Sequence, residues 1–179
     1  RHPVMCWKDY DTLLVNNVDG AQMAVQELIR SGAKRVGMIS SAVTTAGSDR
    51  QRGYEKALAS YDIPYNANLV KFSNIQMTNA PQLVHELMLV QKCDGIFAAD
   101  NTLLKYVLQQ VQVASLEHLK ISTFDDTDWF NYLKQPINSI KQPTQRLGQE
   151  SVNLLINRIN NTSNEQPRVR RFSVQLIRR

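Results

Sequence analysis

Cysteine, histidine and aromatic residues are all sparse here, and each shortage closes off a class of chemistry. The two cysteines, Cys6 and Cys93, sit in the apolar runs VMCW and KCDGIF and form no CxxC pair. That excludes a disulfide-stapled scaffold, reads as buried thiols rather than ligands or redox groups, and suits a reducing, cytoplasmic setting. The three histidines, His2, His85 and His118, are scattered, and none belongs to a metal-ligand or nucleophile motif. With seven glycines there is no Gly-rich phosphate loop, and neither GxSxG nor HExxH occurs. Asp125 and Asp126 are adjacent carboxylates, but neighbours at a strand end point in different directions and make a poor acid/base pair. No catalytic residue, metal or cofactor is therefore assigned. No apolar run approaches the ~20 residues that span a bilayer, and RHPVMCWKDYD does not read as a secretory signal, so no membrane partner is expected.

What is present is a chain of 179 residues with 21 basic and 16 acidic side chains. That length suits one domain or two small ones. Much of the formal charge of +5 comes from the end, PRVRRFSVQLIRR. A balance this mild permits a nucleic-acid partner without selecting one.

Apolar periodicity orders the chain. Val18, Ala21, Val25, Leu28 and Ile29 recur at helical spacing, and Gly32 supplies a left-handed stop. RVGMIS follows as a buried strand, then Ser40–Ser48 as a loop. Arg50–Ser60 reads as a helix and Asn68–Phe72 as a brief strand. A helix capped by Thr78 or Asn79 carries Leu83, Val84, Leu87 and Met88 on one face. Asp94–Ala99 is a strand, Leu103–Val111 marks a helix, and Leu119–Phe124 is a strand. QPINSIKQP reads as an extended crossover, Pro143 opens a helix to about Asn160, and VRRFSVQLI alternates like a strand. Helices alternating with short apolar strands give an α/β fold, with a parallel sheet covered on both faces.

In such a sheet ligands collect beyond the carboxyl ends of the strands, which singles out the loops SSAVTTAGSDR, ADN and FDD. Arg50 offers a rigid fork of donors there. Asp100 follows GIFAA and Asp125 follows STF, so both acidic side chains can emerge at the same sheet edge. Donors and acceptors converging in this way suit a sugar, a nucleoside or another small polar metabolite. A plainer reading stands beside it: Arg50 pairs with a surface carboxylate, and Asp100 and Asn101 cap a helix. Trp129, Phe130 and Phe72 are aromatic candidates for a sugar face or for packing. Tyr54 reads as core.

These pieces, taken in order, resemble the effector-binding region of the LacI/GalR family of bacterial transcription regulators. PVMCW, NNVDGAQMAVQELIRSGAKRVGMIS, SDRQRGYEKAL, CDGIFAADN, ISTFDD and INSIKQPTQRLGQESVNLLINRI carry the likeness over almost the whole chain. The resemblance implies a periplasmic-binding-protein-like (type I) fold, in which two Rossmann-like halves are joined by crossovers around an effector cleft. It also implies an incomplete bilobed domain: residues 1–10 as the last strand of the N-terminal subdomain, and 11–134 as the C-terminal effector-binding subdomain. Residues 135–164 would return to the first half, and 165–179 would form a terminal strand and tail. The family's helix-turn-helix headpiece would precede all of this.

By the same resemblance Arg50, Asp100 and Asp125 fall on effector-contacting positions, and Phe72 lies near the segment that supplies a stacking aromatic. Asp100-Asn101 inverts the family's Asn-Asp order, which replaces a donor-and-acceptor amide by an acceptor-only carboxylate and disfavours an anionic ligand. The implied function is a homodimeric cytoplasmic regulator that senses a small polar effector, a sugar or nucleoside-like metabolite, and alters operator DNA binding. A periplasmic sugar-binding protein of a transport system shares the architecture and is the alternative.

Overall fold

The computed structural model describes residues 10–41, 44–160 and 166–179. The expected opening strand PVMCW, Cys6, His2 and Lys8 lie outside the described residues. Six strands form the main sheet in the order β3-β2-β4-β5-β6-β8: β2 Val36–Ser41, β3 Val70–Ser73, β4 Gly95–Ala98, β5 Lys120–Phe124, β6 Ile137–Lys141 and β8 Gln175–Ile177. The first five run parallel, and β8 closes one edge antiparallel to β6. A second sheet has two parallel strands, β1 Thr12–Val15 and β7 Val169–Phe172.

Two helices cover each face of the main sheet, and the strand pleat divides the core between them. Along β4, Ile96 and Ala98 turn to one side and Phe97 and Ala99 to the other. The first side packs under α3 (Ala80–His85, continued by a wider π turn over Glu86–Val90) and α4 (Asn101–Ala114). The second packs under α1 (Asn17–Arg30) and α2 (Thr45–Ala59). Phe97 and Phe124 are fully buried there, and each removes apolar area worth about 2–3 kcal/mol. Tyr54 is also fully buried, and its hydroxyl donates to the Val36 carbonyl at 2.8 Å. Cys93 is buried, and desolvation pushes its thiol up to about 11, so it is a packing residue. His85 and His118 are exposed.

Three local features differ from the sequence reading. Helix α2 begins at Thr45 rather than Arg50, because the Thr44 hydroxyl accepts the Gly47 N–H at 3.0 Å and caps it. The stretch expected as a crossover contains β6, an interior strand, since Ile137 and Ile140 are fully buried between β5 and β8. The final alternating run is two strands: the chain leaves the small sheet at Phe172 and enters the main one at Gln175.

Helix α5 (Thr144–Ile159) starts after Pro143 and buries none of its residues. Val152, Leu155, Ile156 and Ile159 are exposed on it. Its C-terminal end is tied to the small sheet. Arg158 grips Asp11 with both prongs, Nε to Oδ2 at 2.8 Å and Nη2 to Oδ1 at 3.0 Å, while the Arg168 N–H donates to the same carboxylate. The Arg158 hydrogen bonds hold the Asp11 carboxyl down at about 2, against an opposing effect of burial.

Candidate functional site

A cavity of about 780 Å³ opens at the carboxyl ends of β2, β4, β5 and β6, with the small sheet and the first turns of α5 across from it. That volume accommodates a ligand the size of a mono- or disaccharide. The parallel topology determines the location: every strand of this group ends on the same side, so its loop delivers side chains to one place.

Arg50 enters from α2 and is fixed before any ligand arrives. Its Nε donates to Asn17 Oδ1 at 3.0 Å, Nη1 donates to the Ala99 carbonyl, and the guanidinium lies 3.8 Å from the centre of the Phe124 ring. Asn17 is itself buried at the start of α1. The arginine thus has its plane set by stacking and its rotation set by two acceptors, so ordering it costs little on binding.

Asp125 follows β5 with a left-handed backbone, φ 77°, which turns the chain out of the sheet. Its N–H donates to the Ile140 carbonyl at 3.0 Å, and its carboxylate accepts from the amide of Gln142, which is buried just beyond β6. Asp100 has a structural duty as well as a place in the cavity wall. Its Oδ1 accepts the N–H groups of Thr102 and Leu103, each at 2.9 Å, and so caps α4. The helix-capping reading of Asp100 and the lining reading are both satisfied by one side chain, because the cap leaves the second oxygen outside the helix.

The cavity brings Arg50, Asp100 and Asp125 together. It does not include Phe72, which lies on edge strand β3 with 40% of its surface exposed. Val70 and Ser73 are buried on that strand, whereas Phe72 is exposed. Trp129 and Phe130 pack edge-to-face on each other, ring centres 4.6 Å apart, and neither lines the cavity. From the segment after β3 it is Met77 that reaches the wall.

Several lining residues escaped the sequence reading. Asp126 accepts Ser139 Oγ at 2.5 Å and Arg179 Nη2 at 2.9 Å, so its charge is compensated inside the protein. Arg179 also donates to Asn131 and Ser139, stapling the end of the chain to β6 and to the turn Asp128–Tyr132. Asn101 Oδ1 and Thr127 Oγ1 are buried, and neither has a hydrogen-bond partner among the described residues. Both residues line the cavity. A buried polar atom without a partner is costly; Asn101 Oδ1 favours a ligand that brings hydroxyl or amine hydrogens, and the Thr127 hydroxyl can donate or accept. The available signal was positional: each stands one residue beyond an aspartate in a loop that follows a strand.

Comparison with known proteins agrees with this architecture. Residues 25–179 match the family described as a periplasmic binding protein-like domain. The HTH-type transcriptional regulator EndR of Paenibacillus polymyxa is 30% identical over 161 residues, covering 83% of this chain and 46% of the relative. The HTH-type transcriptional regulator CelR of Thermobifida fusca is 26% identical, covering 87% and 47%. The chain therefore spans about half the length of these curated relatives. Among solved structures, a transcriptional regulator CelR–cellobiose complex superposes with a TM-score of 0.85 at 24% identity, over 95% of this chain and 53% of that one. A LacI family transcriptional regulator from Enterococcus faecium with bound ribose gives 0.82 at 23%, over 94% and 64%.

Proposed function

The chain belongs to the periplasmic binding protein-like family and matches the effector-binding region of LacI/GalR regulators, and from that premise we propose that its cavity binds a small polar effector for a transcription regulator. The observation that carries this reading is that a pre-oriented guanidinium, Arg50, and the Asp125 carboxylate line one cavity. Two fixed groups of opposite character, with hydroxyl, amide and aliphatic side chains between them, suit a neutral polyhydroxylated molecule, a sugar or a nucleoside-like metabolite. The Asp100 carboxylate, an acceptor only, weighs against an anion.

Under this reading the intact protein is a cytoplasmic homodimer that reads operator DNA through a headpiece outside this chain. The main sheet and its helices, Asn16–Gln142 with Ser173–Arg179, form one subdomain. The small sheet and α5 belong to the other. The effector acts by binding one arrangement of the two halves more tightly than another, since equal affinity for both would shift nothing. The curated relatives described above are named as regulators, which favours this reading over a periplasmic sugar-binding protein.

The test is calorimetric titration of the full-length protein with sugars, nucleosides and nucleobases. R50A and D125A should each weaken the tightest ligand by roughly 10- to 100-fold, the loss of a hydrogen bond to a charged group. Thermal unfolding checks that each variant is folded. Unchanged affinity in both refutes the site.

A further inference from the structure

Resting on the cavity reading just given, we infer that Met77 is a further effector-contact residue, an aliphatic wall that takes the place of aromatic stacking and selects a ligand with an exposed C–H or methyl face. Met77 lines the cavity with φ 57°, a left-handed conformation that disfavours any side chain bearing a Cβ. Asparagine or glycine fits such a position better, and the segment Asn74–Asn79 has asparagine at both ends but methionine at the strained site.

The turn around it is knit by side chains. Asn74 Oδ1 accepts the Thr78 N–H at 3.0 Å, its amide donates to Thr78 Oγ1 at 2.7 Å, and Asn79 Oδ1 accepts the Asn74 N–H at 3.0 Å. The Met77 N–H donates to the Asn74 carbonyl at 3.0 Å. This network holds the conformation against its strain, the pattern expected where the side chain has work beyond the turn.

The neighbouring apolar side chains sharpen the assignment. Ile75 is 82% exposed, and neither it nor Phe72 lines the cavity, so Met77 alone among the three enters the wall. Its other flank packs on the buried cluster that lies beneath α3 and α4, which anchors it. Leu13, Val15 and Leu147 supply further aliphatic surface, and no aromatic ring lines the cavity among the described residues. A thioether on a flexible chain contacts C–H surfaces of varied shape, whereas an aromatic ring favours one flat sugar face.

The experiment uses the full-length protein with D-ribose, cellobiose and adenosine as calorimetric probes. M77A should weaken the tightest of these by about tenfold, and M77L, which keeps the bulk, should stay within about threefold of wild type. M77G should bind as poorly as M77A yet melt about 2–4 °C above it, because glycine accepts the left-handed backbone. A purely structural methionine would lower the melting temperature of M77A and leave its affinity within twofold of wild type. That result overturns the inference and spares the cavity. Wild-type protein that binds none of the three probes overturns the cavity reading and the inference with it.

Discussion

Replacing Gly53 by alanine tests whether the close contact of two helices is what aims Arg50. A Cβ at Gly53 would lie 2.7 Å from the Ala21 Cβ and 2.9 Å from the Gln22 nitrogen, and nearer still to the Val18 carbonyl oxygen. Ordinary contacts of this kind begin near 3.4 Å, and all three obstacles belong to the body of α1 rather than to a side chain that could swing aside. Either helix must retreat by about 1 Å, opening a seam lined by Ala21, Ala24, Val25, Tyr54 and Ala57, all fully buried. Overpacking of this kind costs about 3 kcal/mol, the upper part of the usual range because backbone cannot relax locally. For a unit of this size that lowers the melting temperature by about 6–12 °C. Arg50 lies one turn before Gly53 on the same helix, so the shift should also pull its guanidinium off Asn17 and Phe124, weakening effector binding about tenfold. Differential scanning calorimetry and ligand titration of the full-length protein measure both. Gly37 provides the contrast: there a Cβ meets side-chain tips and no backbone, those of Cys93, Ile96 and Leu87 at 2.9, 3.0 and 3.3 Å, so G37A should cost clearly less. A G53A protein that melts within 2 °C of wild type, or no lower than G37A, would refute the reasoning.

Two further outcomes follow from ion pairs. The Asp11 carboxyl is lowered from 3.8 to about 2 by Arg158, so its stabilisation is complete above about pH 4 and is lost as pH falls through about 2. Acid titration of the melting temperature should therefore show wild type losing its advantage over D11N between pH 4 and pH 2, and parallel curves would contradict the assignment. Removing Arg179 leaves the largely buried Asp126 carboxylate without its cation, so R179M should cost about 2–3 kcal/mol by urea unfolding. D126N in that background should restore part of the loss, and simple additivity of the two changes would argue against a coupled pair.

Periodicity revealed the elements whose burial is one-sided or complete. Val18, Ala21, Val25 and Leu28 mark α1 because that stripe lies against the sheet, and Lys120–Phe124 stands out because β5 is central and buried. The sequence pattern failed where partnership, not local composition, decides. Ile137–Lys141 is polar at Asn138 and flanked by prolines, so nothing local announces an interior strand; Ser139 is tolerated there because it donates to Asp126. The run from Val169 to Ile177 alternates enough to read as one strand, and alternation cannot say that its two ends pair in different sheets. At the site, Arg50 and Asp125 were legible because they are charged and belong to segments that follow strands, Arg50 to the helix after β2 and Asp125 to the turn after β5. Phe72 lies outside the cavity on edge strand β3, and nothing local in its segment says that this strand will be the edge. Met77 and Gln142 carry no chemical signature that marks them in advance.

The passage between the two sheets has a mechanical consequence. Among the described residues the backbone crosses three times, at Asn16, at residues 142–143 and at residues 173–174, and each tether is only a residue or two long. Single tethers allow swivel in any direction, but three short ones side by side behave like the knuckles of a door. They resist sliding and stretching, leave rotation about their common line as the soft coordinate, and place Gln142, the donor to Asp125, on the pin itself. A molecule lodged against that carboxylate is therefore seated at the axle, where a small change in grip becomes a large sweep at the far edge.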